Sequence, residues 1–165
     1  MIHLRALSPD EWAAWRKLRL TALAEAPEAF SSTLAEWQGL NDREERWRAR
    51  LELPGSLNLI AADEEGDAGM ASGLPGEGAG MVEVISMYVC ARSRGRGVGV
   101  ALLDALEAWA REGGGTVLQL AVVLGNEHAI GLYRRHGFVQ SGDRAVPLGD
   151  GLRAEIRMEK SLLDA

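Results

Sequence analysis

The sequence predicts an α+β chain: a central mixed, mostly antiparallel sheet with helices on both faces. Three observations carry that reading. Residues 57–62 and 68–74 read as strands on either side of Asp63-Glu-Glu-Gly-Asp67, a turn signal that folds them into a hairpin. Residues 81–89 and 116–124 are apolar strands separated by a helical pattern, so they lie parallel with a right-handed crossover. Two further strands, 138–141 and 151–159, follow the last helix.

Each element has a local cause. Residues 2–7 alternate apolar and polar, as a half-buried strand does. Ser8-Pro9-Asp10-Glu11 starts a helix: Ser8 caps, Pro9 suits the first helical position, and Glu11 completes a capping box. That helix runs to about residue 25 and stops before Pro27. Trp12, Trp15, Leu18 and Ala22 fall on one face of it and read as core. Residues 26–33 form a loop. A second helix, rich in Arg and Glu, is expected from about residue 34 to before Pro54. After the 81–89 strand, Val98, Leu102, Leu106, Trp109 and Ala110 make the apolar stripe of a helix ended by Gly113-Gly-Gly115. Asn126 caps a last helix that closes at His136-Gly137. The order is β-α-α-β-β-β-α-β-α-β-β, with no internal repeat or linker, and residues 1–165 are expected to form a single domain.

Composition narrows the function. With 47% hydrophobic and 25% charged residues in 165, the chain can bury a core without disulfides or metal. The net charge of −6 argues against a nucleic-acid partner and weakly favours a cationic or amine one. Cys90 is the single cysteine, and His3, His128 and His136 are scattered, so no zinc spacing exists and no metal is expected. No apolar run approaches the roughly 20 residues of a membrane span. Nor does the N-terminal stretch carry the apolar core of a signal peptide. A cytoplasmic location and no membrane partner are the expectation.

The most informative stretch is Arg92-Ser-Arg94-Gly95-Arg96-Gly97-Val98-Gly99, between the 81–89 strand and its helix. A helix start presents unpaired N–H groups and a positive dipole end, a place for phosphate or pyrophosphate. Arginines strengthen it and glycines let a ligand come close to the backbone. A Walker loop would need a lysine that is absent. The dinucleotide fingerprint fails as well, because its third glycine falls on Val100 or Leu102. What remains is R-x-x-G-x-G, from Arg94 to Gly99.

At this point the chain resembles the GCN5-related N-acetyltransferase (GNAT) family, whose acyl-CoA turn reads Q/R-x-x-G-x-G/A. The preceding Glu83-Val-Ile-Ser-Met-Tyr-Val89 is similar to that family's fourth strand. Asn126-Glu-His-Ala129-Ile-Gly-Leu-Tyr133 followed by Gly137-Phe138 is similar to its N-x-x-A-x-x-L-Y…G-F segment. Element order and spacing match over essentially the whole chain. The resemblance implies a bacterial-type N-acetyltransferase that passes the acetyl group of acetyl-CoA directly to an amine, with homodimerisation possible. A non-catalytic acyl-CoA-binding domain of the same fold is the alternative.

Such chemistry needs a proton acceptor for the ammonium, an oxyanion donor, and an acid for the departing thiolate. The resemblance assigns the pyrophosphate to the backbone amides of Arg94, Gly95, Arg96, Gly97, Val98 and Gly99, with the Arg94 and Arg96 side chains nearby. Arg92 reads as surface. Met87, Tyr88 and Val89 are implied to pair with the pantetheine arm through their backbone, like an added strand. Glu83, a carboxyl in an otherwise apolar strand, is the candidate base, and burial would raise its pKa toward that task. Alternation places it on the face of Ile85 and Met87. A solvent-facing or salt-bridged Glu83 is the competing reading, and Glu28 and Glu36 are further candidates. Tyr133 is the implied general acid, against simple packing on its helix. Asn126 either caps that helix or also touches the CoA arm. Cys90 needs no covalent role. The acceptor is implied to contact the first two helices, their loop and the 142–152 hairpin, with polyamines, amino-acid derivatives, aminoglycosides and protein N-termini all open.

Overall fold

The structure is a computed structural model that describes residues 1–163. Seven strands form one sheet: β1 (His3–Ala6), β2 (Leu57–Asp63), β3 (Gly66–Pro75), β4 (Met81–Val89), β5 (Val117–Val123), β6 (Val139–Pro147) and β7 (Ala154–Ser161). Four helices accompany them: α1 (Trp12–Glu25), α2 (Glu44–Leu51), α3 (Val98–Glu112) and α4 (Glu127–Arg135). The sheet order is β1-β2-β3-β4-β5-β7-β6. Every neighbouring pair is antiparallel except β4–β5, the pair joined by α3. The α+β class and the element order agree with the sequence-based expectation.

Two cores flank the sheet. On one face α3 and α4 bury Leu102, Leu103, Leu106, Ile130 and Tyr133 against Leu59, Ala71, Leu118 and Met158. α3 lies close on β3 because Gly69 and Gly73 carry no side chain. A Cβ would come within 2.9 Å of Val98 at Gly69, and within 2.7 Å of Trp109 at Gly73. On the other face α1 and α2 bury Trp15, Leu18, Ala22, Trp47 and Leu51 against Ile60, Met70 and Tyr88. The Ser8–Glu11 capping box is present; Pro9–Glu11 form a 3-10 turn before α1 proper.

The second helix is shorter than its composition suggests. The chain over 34–43 makes two 3-10 turns, Leu34–Trp37 and Gly39–Asn41, before α2 begins at Glu44. Thr33 caps the first turn, and Gly39 at φ +62° breaks the run. Asp42 then turns its carboxylate toward Arg16, which donates to Oδ1 at 2.7 Å, and toward Trp47 Nε1, which donates at 2.8 Å. Those contacts tie the loop to α1 and α2. β6 is longer than read from sequence, because the chain re-pairs with β7 after an irregularity between Ser141 and Val146, near Gly142 at φ +79°.

β4 departs from plain alternation. Met70 faces Tyr88 and Ser72 faces Ile85, so three steps on β4 oppose two on β3. The extra residue is a bulge with Ser86 at φ +55°. Arg50 braces it: Nη2 donates to Ser86 Oγ at 3.0 Å and to Ser72 Oγ at 3.1 Å, and Nη1 donates to Asn58 Oδ1 at 3.0 Å. The bulge reverses the facing of the strand. Val82 and Val84 pack into the α3 side before it, and Met87 and Val89 do so after it. The expectation that Glu83 and Met87 share a face is therefore corrected, since a period of two does not survive an inserted residue.

Candidate active site

β4 and β5 pair only from Met81↔Val117 to Glu83↔Gln119. Beyond Glu83 the two parallel strands diverge, and the β5-facing edge of residues 84–89 has no ladder partner. A parallel strand edge left open in this way can accept an extended ligand backbone. Three adjoining cavities follow the gap, each of about 310 to 370 Å³.

The first cavity lies at the Arg/Gly turn, bordered by Val89, Arg94, Gly95, Gly97, Gly99 and Leu132 among others. Gly97 caps α3 at φ +88°, and the first intrahelical bond runs from Ala101 N to Gly97 O. The amides of Val98, Gly99 and Val100 precede it and are free of intrahelical acceptors. A Cβ at Gly95 would meet nothing within 4 Å, whereas at Gly99 it would strike Leu132 at 2.8 Å. Gly95 thus leaves room for a ligand, and Gly99 lets α4 approach α3. An open helix start beside an open strand edge fits a pyrophosphate followed by an extended arm, the shape of coenzyme A.

The arginines of the turn divide. Arg92 is committed to structure: it bonds both oxygens of Asp63 at 2.9 and 2.8 Å, Glu65 at 3.0 Å and the Asp67 carbonyl at 3.0 Å. Arg94 reaches into the channel, yet it donates to Val89 O at 3.1 Å and pairs with Glu25 at 3.2 Å. Glu25 also accepts from Tyr88 Oη at 2.6 Å, and burial together with that bond raises the Tyr88 phenol pKa. Arg96 is exposed in the same turn, between Gly95 and Gly97, which border the cavity.

The middle cavity is bordered by Met87, Tyr88, Val89, Arg94, Asn126, Ala129 and Tyr133. Asn126 Oδ1 accepts from Ala129 N at 3.4 Å, so it caps α4, and it also borders this channel. Glu28 lies here rather than beside Glu83. Glu36 borders none of the three cavities.

The third cavity, of about 340 Å³, brings Glu83, Ile85, Met87 and Tyr133 together with Trp15, Arg19, Phe30, Trp47, Arg50, Glu155 and Arg157. Glu83 is half-buried and makes no hydrogen bond or ion pair among the described residues. Tyr133 borders both this cavity and the middle one. Its ring meets Phe138 edge-on at 5.9 Å, and burial raises its pKa, so it keeps its proton. Cys90 is a free thiol whose pKa burial raises as well, the reverse of an activated nucleophile. Arg153 fixes one wall by donating to the carbonyls of Pro27 at 3.0 Å and Phe30 at 2.7 Å. Glu25, Arg19, Arg50 and Arg153 were invisible as site residues in the sequence, since no motif joins them.

A helix start beside an open strand edge, with adjoining cavities behind it, is the arrangement an acyl-CoA-binding transferase would need. The model of the acetyltransferase (GNAT) family matches residues 12–138, and the chain belongs to that family. It is 39% identical over 124 residues to the L-methionine sulfoximine/L-methionine sulfone acetyltransferase of Pseudomonas paraeruginosa, covering 70% of this chain and 71% of that protein. The Pseudomonas aeruginosa enzyme of the same name is 44% identical over 89 residues; the match spans about half of each chain, 51%. Among solved structures, yncA from Salmonella typhimurium, determined with its cofactor acetyl-CoA, superposes with a TM-score of 0.75 at 24% identity, over 100% of this chain and 96% of that one. The protein is an N-acetyltransferase that uses acetyl-CoA as acyl donor.

Proposed function

We propose that the channel divides the labour of this acetyl transfer among the residues named above. The α3 start, from Arg94 to Gly99, holds the pyrophosphate on its amides, with Arg94 placed to add charge and Arg96 screening from the rim. The backbone of Met87, Tyr88 and Val89 holds the pantetheine arm along the open edge of β4, opposite Asn126. When bound, acetyl-CoA supplies an activated thioester. Glu83 takes a proton from the acceptor's ammonium, directly or through water, and Tyr133 holds a proton at Oη for the departing sulfur. Residues 1–165 serve together as one catalytic unit.

The observation that carries this reading is the parting of β4 and β5 directly after Glu83↔Gln119. It sets the carboxylate at the inner end of the gap that starts at the α3 turn. The third cavity, of about 340 Å³, has room for the free amine of a small molecule. The named relatives act on amino-acid derivatives, and these are the first acceptors to try. Calorimetric titration with acetyl-CoA, followed by thiol release with a panel of amines, tests the reading. Acetyl-CoA binding with turnover of at least one primary amine is expected; a chain that does not bind acetyl-CoA would defeat it.

A further inference from the structure

One group in the third cavity has no part in that scheme. Arg19 projects from α1 and is 8% exposed, and its Nη1 is buried with no hydrogen-bond partner. Among the described residues its guanidinium donates no hydrogen bond and enters no ion pair; its contact is with the Phe30 ring, 4.7 Å from the ring centre. The charges around the same cavity are Arg50, Arg157, Glu83 and Glu155, and neither carboxylate pairs with Arg19. Arg50 also stands over a ring, Trp15, at 5.1 Å, but its two Nη atoms are engaged by Asn58, Ser72 and Ser86. Arg50 is half-buried and committed and Arg157 is exposed, so Arg19 is the buried arginine of this cavity whose guanidinium is unspent. Burial alone lowers its pKa to about 10, which still leaves it charged at neutral pH. A buried cation without an anion weakens a fold, so its use lies in what enters the cavity.

Resting on the acetyltransferase reading, we infer that Arg19 is the anchor for a carboxylate on the acceptor, and that the acceptor is a small amine bearing such a carboxylate, of the α-amino-acid class. The planar guanidinium reads a carboxylate through charge-assisted hydrogen bonds. With the carboxylate held by Arg19, the amine of an amino-acid-sized molecule shares the cavity with Glu83 and Tyr133. Polyamines and aminoglycosides would bring further cations to the cavity and leave the buried Arg19 guanidinium without an anion. The local sign of the cavity is thereby opposite to the chain's net charge of −6, from which a cationic partner was the weak expectation.

The test compares amino acids, including L-methionine sulfone, with their carboxamides, their decarboxylated amines and spermidine, using thiol release by the full chain and by Arg19→Met and Arg19→Lys. The wild type should favour the acid over its carboxamide by about 100-fold in kcat/KM, and Arg19→Met should bring that ratio to within about threefold of unity. Arg19→Lys should recover part of it. Acetyl-CoA affinity, measured by calorimetry, should stay within about twofold in both variants, which shows that the fold and the channel survive. Equal turnover of acid and carboxamide by the wild type, or a ratio that persists in Arg19→Met, would overturn the Arg19 assignment while leaving the acetyltransferase reading intact. So would turnover confined to amines without a carboxylate. Loss of acetyl-CoA binding in the wild type itself would defeat the underlying reading instead.

Discussion

The two ends of the channel are built from different materials. At the α3 turn the surface is mostly backbone: amides before the first helical bond, glycines that leave room, and one strand edge. At the acceptor end it is side chains, with Trp15 and Arg19 from α1, Trp47 and Arg50 from α2, Glu83 from β4 and Tyr133 from α4. A backbone site recognises what all donors share and tolerates exchange of most side chains around it. A side-chain site composed from four elements can change its acceptor without touching the donor grip. The difference predicts that damage at the turn abolishes everything, while damage at the far end is graded and acceptor-specific.

The largest effect is expected from Gly97→Glu. It puts a side chain at φ +88° and a carboxylate at the positive helix end, and acetyl-CoA affinity should fall by about 1,000-fold in calorimetry. Retained affinity would break the comparison at its stronger end. Glu83→Gln should lower kcat by about 100-fold and remove the acidic limb of the pH–rate profile; an unshifted profile removes Glu83 from the base role. Tyr133→Phe keeps the ring against Phe138 and should cost about 10-fold in kcat with KM little changed, because only the Oη proton is lost. A matched rise in KM would point to packing instead.

The smallest effect concerns the support of the acceptor end. Asp42→Asn should destabilise the fold by about 1–2 kcal/mol, read as a lower Tm, since Arg16 and Trp47 lose a charged acceptor. Hydrogen bonds from Arg16 and Trp47 hold the Asp42 carboxyl down at about 2, against an ordinary 3.8. A depressed acid contributes stability above its unfolded value, and that contribution fades as pH falls through the folded value. The Tm gap between wild type and variant should be full above about pH 4 and close near pH 2. A gap that does not change with pH would assign the loss to packing.

What the sequence revealed follows the same division. The turn and helix start from Arg94 to Gly99 were legible because such a turn needs contiguous residues with fixed conformational demands. The cap of Asn126 and the stop at Gly137 were legible for the same reason. Arg19 was hidden in a helix whose neighbours Trp15, Leu18 and Ala22 read as ordinary core, because no spacing rule links it to Glu83, 64 positions on. The span 34–43 looked helical by composition, and Gly39 at φ +62° together with the tertiary bonds of Asp42 turns it aside. The inserted residue at Ser86 also escaped, since one serine in an apolar run leaves the pattern of types unaltered.

That serine has a wider consequence. Because the strand changes hands at residue 86, Val84 looks into one core and Tyr88, four positions later, into the other. Flattening the bulge with Ser86 kept would turn everything downstream inside out, so that Met87 and Val89 exchanged places with Tyr88, whereas excising Ser86 would restore regular pleating and leave all three on their present faces. What the insertion adds is one kinked residue, tied down by Arg50, beside the edge of β4 that β5 leaves open.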